Sequence, residues 1–167
     1  HDKQDFELII PELEQYDNRN ISSTRVRTLL KEGRLSDAKK CLGREYELHG
    51  VVTSGEKLGR KLGYPTANIS LNHNYPLDGI YLSKILIDEK YYPALSSVGN
   101  KPTYNGKEKL LEVYILNFDE DIYGKYVKVF FFEKIRNQIK FDNQDQLIKQ
   151  MNDDHKYAII NSKKYGI

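Results

Sequence analysis

The chain has 167 residues and a formal net charge of +2, with 39% hydrophobic and 30% charged residues. That is enough for one domain with a real core plus an appendage, and the charge is too small to attract nucleic acid in bulk. No apolar run approaches the ~18 residues of a membrane-spanning helix, no signal-peptide pattern opens the chain, and the single cysteine, Cys41, excludes a disulfide framework or a cysteine-rich zinc site and fits a reducing cytosol.

Residues 1–20 read as a fragment or arm. Phe6 to Ile10 suits a short strand that Pro11 ends, but a lone strand of that length cannot bury itself. Residues 21–43 read as two short helices. Ser22 or Ser23 caps the first, Val26, Leu29 and Leu30 share a face, and Gly33 lies just past its end. Ser36 caps the second, Ala38, Cys41 and Leu42 face inward, and Gly43 stops it.

From Arg44 the period changes to that of strands, which the thirteen tyrosines and absent tryptophan also favour. Tyr46, Leu48 and Gly50 alternate with Glu47 and His49, a pattern that makes His49 structural or exposed rather than catalytic. Thr66 to Ile69 is a strand, and Leu71 to Leu77 a polar connection containing His73 and Pro76. Gly79–Ile87 and Tyr91–Val98 form a hairpin around Asp88-Glu89-Lys90. Gly99 to Lys109 is rich in Gly, Asn, Pro and Lys and reads as a loop, the best candidate for a flap. Leu110–Phe118 and Lys125–Ile135 are strands about an acidic turn, Asp119-Glu120-Asp121. A helix closes the chain. Asn143 and Gln146 have capping-box spacing, and Leu147, Ile148, Met151, Ala158 and Ile159 make an apolar stripe. Asn152-Asp153-Asp154-His155 interrupts the stripe, where a bend or break is expected; these residues read as a solvated face, not a metal cluster. Six strands and one closing helix suggest a mainly β fold, a six-stranded antiparallel Greek-key barrel.

Two places carry chemistry. In Gly59-Arg60-Lys61-Leu62-Gly63-Tyr64-Pro65-Thr66-Ala67-Asn68, glycines let backbone N–H groups approach a phosphate and the cations supply charge. Gly55, Arg60, Thr66 and Asn68 are candidates for positioning that phosphate. On a strand, Thr66 and Asn68 share a face, and their oxygens suit Mg²⁺. The plainer reading is a basic turn entering a strand. Glu112 lies inside the apolar run Leu110 to Leu116, and alternation puts it on a face with Leu110, Tyr114 and Leu116. A carboxylate there needs a partner or a purpose, and a general base is one; an outward-facing strand glutamate is the other reading.

The Gly59–Asn68 stretch closely resembles the G-R-x-L-G-x-P-T-A-N signature of riboflavin kinases. The resemblance implies that Gly55, Gly59, Arg60 and Gly63 hold ATP and that Thr66 and Asn68 sit at its Mg²⁺. Glu112-Val113-Tyr114-Ile115-Leu116, followed by the acidic turn and Tyr123-Gly124, resembles the family's E-x-H-[ILV]-[ILM] strand. Glu112 then takes the place of the base on the riboflavin 5′-hydroxyl, and Asn117 and Tyr123 fall near the nucleotide. Tyr114 replaces the usual histidine, so no role is carried over there. Ser97 to Tyr104 resembles the V-G-x-R-P-T-[FY] flap, with Gly99 near flavin and Lys101 for arginine. Ile135 to Phe141 resembles L-R-x-E-x-x-F, with Arg136 toward flavin and Gln138 for glutamate. Ile21-Ser22-Ser23-Thr24-Arg25-Val26-Arg27 resembles the I-S-S-T-x-I-R motif that closes the adenylyltransferase domain of bacterial bifunctional riboflavin kinase/FMN adenylyltransferases. By its own chemistry it is an ordinary capped helix start.

Together these imply that residues 1–43 are the tail of a truncated FMN adenylyltransferase domain and that 44–167 are a riboflavin kinase barrel. The implied substrates are riboflavin and ATP with Mg²⁺, the product FMN, and the implied partner the rest of the adenylyltransferase domain; neither nucleic acid nor membrane is implied. The competing expectation is a non-catalytic flavin- or nucleotide-binding module, for which Lys101, Tyr114 and Gln138 leave room.

Overall fold

The computed structural model describes residues 14–55, 59, 62–71, 75–103 and 106–167, with the side chains of 100–103 and 106–108 left aside. The strand expected at Phe6–Ile10, and Arg60, Lys61 and His73, lie outside the described residues.

A two-residue hairpin opens the described chain. β1 (Gln15–Tyr16) pairs with β2 (Arg19–Asn20), and Asp17 and Asn18 turn with φ of 54° and 53°, the left-handed values that a tight hairpin turn requires. Helix α1 (Ser23–Lys31) starts where the Ser22 side chain accepts from the Arg25 N–H at 3.2 Å. The Arg25 guanidinium donates back to the carbonyls of Tyr16 (2.6 Å) and Arg19 (2.7 Å), clamping the hairpin to the helix. Helix α2 (Leu35–Leu42) ends at Gly43, whose φ of 72° a side chain would strain. Ser36 does not cap it. Arg34 takes that position without a side-chain cap, because Leu35 is a core anchor and the first turn includes it. Arg34 instead reaches forward to Asp37, Nε to Oδ2 at 2.9 Å.

Six strands then close a barrel. They are β3 (Tyr46–Thr53), β4 (Thr66–Ser70), β5 (Gly79–Ile87), β6 (Lys90–Thr103), β7 (Gly106–Ile115) and β8 (Tyr126–Arg136), in the order β3-β4-β7-β6-β5-β8. Every pair is antiparallel. The β4–β7 neighbourhood and the passage of β8 between β5 and β3 are the Greek-key crossovers. Of the segment expected as a loop, Gly99–Lys109, the described residues 99–103 and 106–109 are instead ladder: Gly99 pairs with Leu110, Asn100 with Lys109 and Thr103 with Gly106. Its polar composition hides this, since a ladder is made by backbone N–H and C=O groups. β7 stops at Ile115, earlier than expected, and Asn117 turns the chain with φ of 53°.

Alternation sorts the strands into two faces. Val52, Ala67, Ile69, Leu111, Val113 and Phe131 point inward, and Leu29, Leu30, Leu35, Ala38 and Cys41 of the two helices belong to the same buried cluster. A second cluster lies on the outside, where Ile80, Leu82, Leu95 and Leu116 meet Ala158 of the closing helix α3 (Gln144–Asn161). Asn143 caps α3, accepting from the Gln146 N–H at 2.9 Å, while the Gln146 side chain accepts from the Asp142 N–H. The helix runs unbroken through 152–155, where a bend was expected. Nor is that stretch all solvated: Asp154 is buried at 5% exposure, whereas Ile159, expected in the stripe, is exposed. Ala158 and Ile159 are a third of a turn apart, and only one of them can face the barrel.

Candidate active site

The site residues are assembled by strand register on the outer face of the barrel. Ala67, Ile69, Leu111 and Val113 fill the interior, so Thr66, Asn68, Glu112 and Tyr114 between them point outward. Thr66 pairs with Tyr114, and Asn68 pairs with Glu112. On the other side of β7, Glu112 pairs with Ser97 of β6. Glu112 therefore has an amide to one side and a hydroxyl to the other. It shares its face with Tyr114, as alternation predicts, while Leu116 lies beyond the strand end.

The glycine loop packs over the β4 side. A Cβ on Gly55 would collide with the Asn68 side-chain amide, and one on Gly59 would collide with the Tyr64 carbonyl and stand 3.3 Å from Thr66 Oγ1. The loop turns on itself: the Leu62 and Tyr64 N–H groups both donate to the Gly59 carbonyl, at 3.0 and 2.8 Å. Gly63, with φ of 84°, makes that turn possible. Gly55, Gly59, Thr66 and Asn68 are thus brought together. Thr66 Oγ1 and the Asn68 amide oxygen are neutral hard donors, a set that fits Mg²⁺ only if the charge is balanced by another ligand such as phosphate.

Beside Thr66 a cleft of ≈ 430 Å³ opens at the barrel end, floored by Val113 and Ile115 and walled by Pro65 and the 118–123 segment. Tyr123 lines it, and its N–H donates to Asp121 Oδ1 at 3.0 Å. Asn117 is exposed in the turn leading to this wall. Asp119, Glu120 and Asp121 make the wall acidic.

Gly99 and Arg136 sit on the β6 side, away from the glycine loop. A Cβ on Gly99 would lie 3.1 Å from Gln138 Nε2. That amide donates to Ser97 Oγ at 3.0 Å and to the Val98 carbonyl at 3.1 Å. A carboxylate cannot donate to a carbonyl, which gives glutamine at 138 a physical reason. The Arg136 guanidinium is held by Asp154 through Nε (3.0 and 3.1 Å) and Nη2 (2.6 Å), and its Nη1 donates to the Asn137 carbonyl at 3.0 Å. Gln150 donates to Asp154 Oδ1 at 2.9 Å. Asp154 and Ser97 were missed as partners in the sequence. For Asp154 the signal was present, since 147, 151, 154 and 158 are the spacing of one helix face. Burial raises the pKa of Tyr64 and Tyr114, with each ring close to the other, so both stay neutral phenols.

The family model described as riboflavin kinase, or flavokinase, matches residues 42–160. The chain belongs to the riboflavin kinase family. Curated relatives agree. The chain is 42% identical to a bifunctional riboflavin kinase/FMN adenylyltransferase of Buchnera aphidicola subsp. Schizaphis graminum, over 83% of its own length and 46% of the relative's. It is 41% identical to the Haemophilus influenzae protein of that description, again over 83% and 46%, and 34% identical to the Bacillus subtilis one, over 85% and 46%. The chain thus spans about half the length of the curated relatives it matches. Among solved structures, a Streptococcus pneumoniae protein described as a macrolide-efflux protein superposes with a TM-score of 0.80 at 38% identity, over 87% of this chain and 49% of that one. Among the described residues, no helix is long and apolar enough to cross a membrane. Riboflavin kinase from Trypanosoma brucei superposes with a TM-score of 0.51 at 24% identity, over 71% and 77%, a likeness of fold.

Proposed function

We propose that this chain transfers the γ-phosphoryl group of Mg-ATP to the 5′-hydroxyl of riboflavin, giving FMN and ADP. The observation that carries the reading is the place of Glu112, between Asn68 on one neighbouring strand and Ser97 on the other. The glycine loop packs on the Asn68 side and Gly99, Gln138 and Arg136 lie toward the Ser97 side. A base for phosphoryl transfer belongs beside the acceptor hydroxyl, where donor and acceptor sites meet.

In this reading Glu112 takes the proton of the ribityl hydroxyl as its oxygen forms the bond to phosphorus and the bond to the ADP oxygen breaks. The backbone around Gly55, Gly59 and Gly63, with Arg60, holds the phosphates. Thr66 and Asn68 would hold Mg²⁺, which supplies charge neutralisation to the phosphates when bound. Asn117 and Tyr123 border the nucleotide. Gly99 and Arg136 border the flavin, Arg136 with its guanidinium plane fixed by Asp154. Residues 1–43 are read as the closing segment of an adenylyltransferase domain, as the names of the relatives suggest, and the cytoplasm as the compartment, as the free Cys41 suggests. The test is chromatographic. Riboflavin, ATP and Mg²⁺ with the purified chain should yield FMN and ADP, and EDTA should stop it. Flavin binding without FMN would replace the kinase by a binding module.

A further inference from the structure

Tyr64 is the last residue of the glycine loop before Pro65 and Thr66. Its backbone N–H closes the turn onto Gly59, but its side chain leaves the loop and ends on α3. There its hydroxyl donates to Asn152 Oδ1, a contact between positions 88 apart in the chain. Its ring lies 5.2 Å from the Tyr114 ring and 6.1 Å from the His155 ring, and the latter two are 5.7 Å apart, all three edge to face. Tyr114 is the cross-strand partner of Thr66 and stands two residues from Glu112. The loop is therefore fixed at one end by the β4 ladder at Thr66 and within its turn by main-chain bonds. The Tyr64 side chain adds a third attachment, to a different element.

We propose that Asn152 and His155 of α3 are positioning residues for the nucleotide: they hold Tyr64 and, through it, the glycine loop over Thr66 and Asn68. The identity of the ligand rests on the kinase reading; the attachment rests on the contacts. Asn152 is exposed, so its bond adds little to the core and acts mainly on where the loop sits. His155 packs edge to face with both tyrosine rings and limits the swing of the Tyr64 ring.

The experiment measures binding, independent of turnover. Mg-ADP is titrated by calorimetry and riboflavin by fluorescence, with melting temperature recorded for each variant. Asn152→Ala and Tyr64→Phe should each weaken Mg-ADP by about two- to tenfold, the range of one hydrogen bond. The double variant should lose no more than either single one, since both remove the same bond. His155→Ala should weaken Mg-ADP, and His155→Phe, which keeps a ring edge, should restore it. Riboflavin affinity should stay within about twofold throughout, on the same scale. Unchanged Mg-ADP affinity in Asn152→Ala overturns the proposal. So does a parallel loss of both ligands with a lowered melting temperature, which would make the contact merely structural. A parent chain that binds neither ligand refutes this proposal and the kinase reading together. A chain that binds both and follows the pattern, yet forms no FMN, refutes the kinase reading alone.

Discussion

A carboxylate that takes a proton from an alcohol must reach that hydroxyl while leaving its line to phosphorus open. Register puts Glu112, the proposed base, beside Asn68 on one strand and Ser97 on the other. Glu112→Gln keeps the shape and removes the basicity, so kcat should fall about 10²- to 10⁴-fold while the KM values change little. A loss under about fivefold at saturating substrates would assign the base elsewhere. Gly55 offers a second probe on the same face. A methyl group there runs into the end of the Asn68 side chain, which can swing aside at little cost to the fold. Gly55→Ala should therefore raise the Mg²⁺ concentration needed for half-maximal rate and leave the melting temperature nearly unchanged. Thr66→Ala should do the same by removing an oxygen outright. Metal titrations that superpose on the parent's for both variants would move the metal away from β4.

At the scale of elements, α3 is tied to the barrel by a buried ion pair. The Arg136 and Asp154 side chains are only 16% and 7% exposed, and Gln150 satisfies a further lone pair of the carboxylate. Removing one partner strands the other charge, which costs about 3–5 kcal/mol in such pairs. Asp154→Ala should lose stability of that order in denaturant titration; a loss under about 1 kcal/mol would mean that water reaches the guanidinium. This pair also marks where the sequence stops being legible. Strands of alternating period and the glycine helix stops are local patterns, and they appear in the structure where they were expected. Asp154 was misread because it stands among polar neighbours, Asn152, Asp153 and His155, although its spacing from Leu147, Met151 and Ala158 places it on the barrel-facing side. Gly99–Lys109 was misread because backbone pairing leaves no side-chain period in a polar ladder. Ser36 lost its capping role to the burial of Leu35. Tyr64–Asn152 joins distant segments, and nothing local announces such a contact. Within the site, residue types and strand faces were readable, whereas the partners of Arg136 and Gln138 depend on tertiary packing.

For the whole molecule, the question is what keeps barrel, helix and C-terminal turn together. Besides the outer apolar cluster, one carboxylate serves as a clasp. Glu133 of β8 accepts from the Tyr157 hydroxyl of α3 at 2.7 Å and from the Tyr165 hydroxyl, in the 3-10 turn Ser162–Tyr165, at 2.8 Å. Both phenols are pushed up to about 12: Tyr157 first by its bond to Glu133, Tyr165 first by burial and then by that carboxylate. An unfolded tyrosine titrates near ~10. The folded state therefore keeps these protons longer, and the stability this contributes is fully present below pH ~10 and is lost as pH rises toward 12. Only past the folded pKa would the clasp set a phenolate against a carboxylate and have to open. Buried Tyr75, also pushed up to about 12 by burial, adds a slope of the same sign. The clasp's share is isolated by difference. The Tyr157→Phe, Tyr165→Phe double variant should melt lower than the parent at pH 8, having lost two hydrogen bonds to a charged acceptor. Its melting temperature should then fall less steeply between pH 10 and 12, so that the two curves converge. Parallel curves across that range would show that Glu133 and its two tyrosines are not coupled to folding, and the hold on α3 would then rest on its other contacts, the Arg136–Asp154 pair and the apolar cluster foremost.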